Sequence, residues 1–455
     1  MKRSLYFLVS LLFAFTTFAQ GYEQKIKSIY DHQLTESPIY ENLRYLCKEI
    51  GNRLSGSPQA AAAVEYTKQL MESYGFDTVY LQPVMVPHWV RGEKEVVTVT
   101  NAKKYGAISL NSLALGNSVG TGPEGLLLNV IEVSNIGELK KLGKKVEGKI
   151  VFINTKMDPT LINNFEAYGG AVVTRAYGAS EAGNLGAKAV IVRSVTNRLD
   201  NIPHTGSLVY KPLMPQIPAV AVSTMDAEKL SEMIKDQDDL KIYLRTTSQM
   251  LPDVLSYNVI GEIKGSTNPE EIIVVGGHLD SWDVGEGAHD DGGGCMMSVE
   301  VGRTFLALGI KPKRTLRVVM FMNEENGLRG GKKYAEIAKK KGEKTIAALE
   351  SDSGSFFPEG YTMMGTEAQR NKIKNWKPLF LKYGMYDFDQ IGSGADISPL
   401  EDQGPLLMEL LPNTQKYFIY HHTAADVFEA VDKRELEMGA AALTSMVYLI
   451  DQEGI

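Results

Sequence analysis

Carboxylates and imidazoles follow one short apolar run after another in the C-terminal half of this chain. His278 and Asp290 lie in GGHLDSWDVGEGAHDDGGG (276–294), Glu324 and Glu325 in FMNEENGLRGG (321–331), Asp352 in ESDSG (350–354), and His421 and His422 in HHTAAD (421–426). The runs Glu271–Val275, Thr315–Met322, Thr345–Leu349 and Gln415–Tyr420 read as strands, with helical stretches between them. That alternation predicts a mostly parallel sheet covered on both faces. Ligands of such sheets sit at the carboxyl ends of the strands, so the four runs would deliver their polar residues to one crevice. Two imidazoles with several carboxylates and no thiolate suit zinc or a similar divalent ion. With Asp290 the set is large enough for two ions, and a carboxylate shared between ions roughly 3.5 to 4 Å apart is the arrangement that clamps a bridging hydroxide. The Glu324-Glu325 pair supplies a ligand beside a carboxylate free to take a proton.

The other polar residues of these motifs have blander readings. Asp280, two residues after His278, is expected to accept from the imidazole N–H rather than ligate. Asp283, Glu286 and His289 read as solvated groups or a substrate rim. Asp291 follows Asp290 directly, and consecutive side chains seldom aim at one metal. Ser281 has no base beside it in sequence, which disfavours a serine nucleophile. His204, in Pro203-His204-Thr205-Gly206, reads as a loop residue. Cys47 shares a helical face with Leu43, Leu46 and Ile50 and reads as a buried thiol. Cys295 follows the glycine run, and spacing does not say whether the two cysteines pair.

Several elements must position these groups. The chain has 455 residues, 44% hydrophobic and 23% charged, which predicts two domains or one large domain carrying an insertion. A formal net charge of -7 without a long basic run argues against nucleic acid or an anionic membrane as partner. Residues 1–19 of MKRSLYFLVSLLFAFTTFAQ read as a secretory signal, with cations, an apolar run and a small residue before the cut. No later segment reads as a membrane span, so the expected product is exported, periplasmic or extracellular. Residues Ala60 to Tyr74 carry a helical apolar stripe ending at Gly75, Phe76–Val84 reads as a strand, and Cys295–Leu308 as an apolar helix. Between Trp89 and Ser256 the chain turns to short β-rich runs broken by glycine, such as 149–153, 187–192 and 217–222, which predicts a separate inserted module.

The ordered motifs GGHLDSW, GAHDDGGG, FMNEENGLRGG, ESDSG and HHTAAD resemble those of the co-catalytic zinc exopeptidases of the aminopeptidase and glutamate carboxypeptidase type, over nearly all of the mature chain. The resemblance implies an α/β fold: a three-layer phosphorylase/hydrolase-like zinc peptidase core (20–88 and 257–455) with a mixed, mostly parallel sheet, and a protease-associated-like domain inserted at 89–256. It implies two zinc ions, one held by His278, Asp290 and Asp352, the other by Asp290, Glu325 and His422. Glu324 takes the general base position and Asp280 that of the partner of His278. A cis peptide between Asp290 and Asp291 and a homodimer are also implied. Where some relatives carry a tyrosine that steadies the transition state, this chain has His421, which either donates that hydrogen bond or packs. Gly394, Ala395 and Asp396 are placed near the substrate. The arginine cluster by which some relatives select a C-terminal glutamate is not evident. The expected function is hydrolysis of dipeptides or short peptides, from whichever end. The alternatives are a single-zinc acyltransferase of the glutaminyl cyclase type, a catalytically silent binding protein, and an amidase acting on sugars or other small molecules.

Overall fold

A computed structural model describes residues 21–455; the secretory signal expected at 1–19 lies outside them. Two sheets organise the chain. The seven-stranded sheet runs from edge to edge through Thr78–Val90, Gln249–Ile263, Arg314–Phe321, Asn268–His278, Lys344–Glu350, Leu406–Pro412 and Pro358–Met364. The strands from Arg314–Phe321 to Leu406–Pro412 are mutually parallel, and the outer ones are antiparallel. Register brings the parallel ends level: His278 lies opposite Phe321, and Gly276 opposite Glu350.

Alternation along these buried strands divides the core in two. Ile273, Val275, Val318 and Met320 pack with Val64, Met71, Val299, Leu443 and Met446 on one face. Ile272, Val274, Val319 and Phe321 pack with Tyr334, Ala338 and Leu400 on the other. Each such side chain stabilises the fold by about 1.5 to 3 kcal/mol when fully buried, so the strand ends stand on a stiff three-layer base. The helix Pro58–Ser73 starts where the Ser57 hydroxyl accepts the Ala60 N–H at 3.1 Å and Pro58 occupies the first turn. It stops before Gly75, whose φ of +83° suits glycine. The helix expected from Cys295 begins at Gly293 and runs to Ala307.

The expected strand Gln415–Tyr420 is not one. Residues Thr414–Lys416 and Tyr417–Tyr420 form short helical turns, and the fourth parallel strand is Leu406–Pro412. Asn413 starts the turn by accepting the Gln415 N–H at 3.2 Å, and Tyr417 and Phe418 pack on Phe165 and Tyr168 instead of a sheet neighbour.

The eight-stranded sheet lies within residues 96–245 and buries its own apolar clusters. The chain reaches and leaves it on one antiparallel ribbon, Thr78–Val90 against Gln249–Ile263, so boundaries at 88/89 and 256/257 fall inside two strands. The insert is less purely β than its sequence suggests. A 21-residue helix, Asn164–Asn184, is capped by the Asn163 side chain and leans toward the catalytic sheet through Phe165 and Tyr168. Among the described residues no helix is long and apolar enough to cross a membrane.

Candidate metal centre

Three strand ends, one loop and one short helical turn bring the expected residues together. His278 ends its strand 1% exposed, with Nε2 3.2 Å from Asp290 Oδ1 and 3.2 Å from Asp352 Oδ1. On the opposite side, His422 Nε2 lies 3.4 Å from Asp290 Oδ2 and 3.1 Å from Glu325 Oε2. Asp290 therefore faces a separate donor set with each oxygen. Ligand atoms of His278, Asp290 and Asp352 lie within 4.8 Å of one another, as do those of Asp290, His421 and His422. Asp290 Oδ2 is buried and receives no hydrogen bond. A buried carboxylate oxygen without a donor is costly unless a cation meets it, and a carboxylate–imidazole donor set is what zinc binds. The residues fit a divalent metal centre.

The loop that carries Asp290 is fixed from three directions. The Asp290–Asp291 peptide is cis. Asp291 points away from the donor cluster, its Oδ2 accepting the His278 N–H at 3.0 Å and its Oδ1 the Gly294 N–H at 3.1 Å. A Cβ on Gly277 or Gly294 would lie 2.2 Å from an Asp291 carboxylate oxygen, so those glycines make room for it. Asp426 accepts the backbone N–H of His289 at 2.7 Å and that of Asp290 at 3.2 Å. Burial pushes the Asp426 carboxyl up to about 7. Arg53, fully buried, donates to the carbonyls of Leu279, Glu286 and Gly287. Sequence reading missed both anchors: Arg53 sits in a stretch that reads only as a turn, and Asp426 in a motif whose histidines draw the attention.

Several side chains depart from expectation. His289 is neither solvated nor at a rim. It is 1% exposed, stacked on Phe356 and Tyr420, and accepts the Ser355 N–H at Nδ1. Asp283 pairs with Arg91 at 2.6 Å, and Glu286 with Lys48 at 2.8 Å. The His278 Nδ1–H donates to the main-chain carbonyl of Asp280 at 2.9 Å, while its carboxylate Oδ1 accepts the N–H groups of Asn323 and Glu324 at 2.6 and 3.0 Å. Asp280 thus steadies the turn bearing Glu324. Asp396 is wholly buried, with neither oxygen hydrogen-bonded, and Gly394 packs against the Glu350 carboxyl. The Asp396 and Ile397 N–H groups bind that same carboxyl, at 3.3 and 3.0 Å, and Ala395, between Gly394 and Asp396, is half-buried. Both cysteines are free and buried, and the Cys295 thiol donates to the His278 carbonyl.

The histidine pair is held from the insert. The His421 and His422 rings stack at 3.5 Å. His204 is buried, and its Nδ1–H donates to the His421 carbonyl at 2.9 Å, while the Thr205 N–H donates to that of His422 at 3.0 Å. His422 has a φ of +61°, a conformation that for a histidine persists only where its surroundings impose it. Burial lowers His422 to about 3, against the opposing pull of Asp290, which keeps the ring in the neutral form that ligates. Glu324 is partly exposed. Its deep setting pushes it up to about 8, with His278 pulling down and the carboxylates of Asp352, Asp280 and Asp290 pushing further. A carboxyl in that range exchanges protons near neutral pH.

Residues 258–447 match the model of peptidase family M28. Carboxypeptidase Q of Xenopus laevis is 37% identical over 433 residues, covering 94% of this chain and 90% of that protein. The crystal structure of a peptidase M28 precursor from Shewanella amazonensis SB2B superposes with a TM-score of 0.90 at 31% identity, covering 96% of this chain and 98% of that one. A zinc aminopeptidase from Bacillus subtilis shares the fold, with a TM-score of 0.67 at 20% identity over 92% of this chain and 95% of its own. The mixed α/β core and these relatives define a metallo-exopeptidase. The chain belongs to peptidase family M28.

Proposed function

We propose that this chain is an exported, two-zinc exopeptidase that cleaves dipeptides or short peptides. The observation that carries the two-metal reading is Asp290, whose oxygens lie 3.2 Å from His278 and 3.4 Å from His422. His278, Asp290 and Asp352 would hold one ion, and Asp290, Glu325 and His422 the other. When bound, such a pair supplies Lewis acidity, polarising a carbonyl and acidifying water at neutral pH.

The chain's own residues do the rest. Glu324 takes the proton of the attacking water and hands it to the leaving amine, the task of a carboxylate that stands next to a proposed metal ligand without being one. Asp280 fixes the direction of Glu324 through its backbone N–H. His421, whose Nε2 lies 4.0 Å from Asp290 Oδ2, would donate to the oxygen that gains charge in the transition state. Trp282 donates its backbone N–H to Glu325 at 3.2 Å and orients that carboxylate. A cavity of about 410 Å³ lined by Phe165, Ser353, Tyr386, Gly392 and Glu409 reaches Ser353, the residue after Asp352 in sequence, and would take a short peptide. Export rests on the leader-like composition of residues 1–19.

The test is hydrolysis of a dipeptide panel by the zinc-loaded enzyme, by the chelated enzyme and by Glu324→Gln. Activity should disappear on chelation, return with zinc, and be lost in Glu324→Gln without loss of metal. Activity that survives both changes contradicts the proposal.

A further inference from the structure

The cavity of about 410 Å³ that reaches Ser353 is lined by three carboxylates, Glu359, Asp387 and Glu409, and by no lysine, arginine or histidine. All three are half-buried. Their side-chain donors are neutral: the Ser353 hydroxyl donates to Glu409 at 2.5 Å, the Gln390 amide to Asp387 at 2.6 Å and the Asn413 amide to Glu359 at 2.8 Å. Among the described residues none of the three meets a cation, whereas Asp389, two residues beyond Asp387 and outside the lining, pairs with Lys374 at 2.7 Å. Thr362 adds a further acceptor to the lining, since its Oγ1 is buried without a hydrogen-bond partner. Ser353 itself is 5% exposed.

A cavity walled by carboxylates of one sign concentrates its field on a positive guest, and low-dielectric walls strengthen the attraction. The arrangement disfavours a bare metal ion. Among the described residues, three ligand atoms converge only around Asp290, with His278 and Asp352 or with His421 and His422. Carboxylates that do not converge on a point suit a cation whose donors are spread and which arrives on a stem. Phe165, Ile391 and Leu411, in the same lining, supply apolar surface for that stem. Lysine and arginine bury their methylenes along such surface and keep the charged head among polar groups. The cavity also adjoins the chemistry: Ser353 is one Cα step, about 3.8 Å, from the proposed ligand Asp352.

We propose that this cavity receives a side chain of the substrate residue flanking the scissile bond, and that Glu359, Asp387 and Glu409 select a cationic one, lysine or arginine. The inference rests on the peptidase reading above and adds to it the class of side chain recognised.

The experiment gives the zinc-loaded, full-length enzyme two matched pairs of dipeptides, lysyl-alanine with norleucyl-alanine and alanyl-lysine with alanyl-norleucine. Norleucine keeps the stem of lysine and lacks its charge, and both termini are the same within a pair. In one of the two orders wild type should prefer lysine by about 10- to 100-fold in kcat/KM, the value of a charge-assisted hydrogen bond. In the triple variant Glu359→Gln, Asp387→Asn, Glu409→Gln that ratio should fall to near one, chiefly through KM for the lysine substrate, with zinc content measured alongside. Equal cleavage within both pairs by wild type, or a preference for norleucine, overturns the assignment without any variant and leaves the peptidase reading intact. A lysine preference that persists in the triple variant also overturns it, since the charge is then read elsewhere. So does a triple variant that loses both members of the pair in proportion, since that marks carboxylates with a structural role alone. Cleavage of none of the four by the zinc-loaded wild type removes the peptidase reading and this proposal with it.

Discussion

His278, Glu324, Glu325 and Asp352 leave within four residues of the ends of parallel strands, whereas His421 and His422 hang from a short helical turn after the last one. The first group inherits its position from sheet hydrogen bonds and a core packed on both faces. The second is positioned by contacts from another part of the chain, through His204, Thr205 and the aromatic packing of Phe418 on Tyr168. The two halves meet at Asp290, itself on a loop pinned by Arg53 and Asp426. The difference teaches that His204 and Thr205, from the half of the chain that carries the eight-stranded sheet, help to set the proposed ligand His422. Disturbing that support should loosen one metal position while sparing the other.

The largest expected effect lies on the strand side. Glu324→Gln should lower kcat by about 10³-fold, as for removal of a general base, with zinc content unchanged; steady-state kinetics with metal analysis reads it. Next comes the loop side. His204→Ala deletes the hydrogen bond to the carbonyl of His421, the residue before the proposed ligand His422, and should cost about 10-fold in zinc affinity or activity, the lower end of what losing an outer partner of a ligand costs. Zinc titration should show the loss at one of two positions, and an equal loss at both would break the comparison. Smaller in consequence is Gly277→Ala, whose new methyl would meet the Asp291 carboxylate. Overpacking of this kind should destabilise by about 1 to 3 kcal/mol in thermal unfolding. The smallest is Asp253→Asn, which removes an exposed ion pair with Arg329. It should shift stability by less than about 1 kcal/mol and leave kinetics alone.

The strand-end half was the more legible in sequence, for a physical reason. Short apolar runs bounded by glycine and followed by a carboxylate or imidazole report both the strand and its chemistry, and Asn268–His278, Arg314–Phe321 and Lys344–Glu350 lie where those runs predict. The loop half misled. YFIY has the composition of a strand but no sheet partner, and its aromatics are claimed by the insert helix. His204 looks like any loop histidine until the fold carries it across 217 positions to the His421 carbonyl. His289 reads as a solvated or rim group because its neighbours in sequence are polar, although Phe356 and Tyr420 enclose it. Asp280 shows the limit of spacing itself: an HxD pair places both side chains on one side, yet the carbonyl, not the carboxylate, accepts the hydrogen bond of the imidazole N–H.

The most direct test of the central claim is zinc stoichiometry during reconstitution, with dipeptidase activity followed in parallel. Zinc added stepwise to chelated protein should bind to two equivalents per chain. Activity should rise to its maximum only as the second site fills, and Glu324→Gln should bind the same two equivalents without activity. Full activity at one zinc per chain, with no second equivalent bound, would contradict Asp290 as a shared ligand and favour the single-zinc alternative.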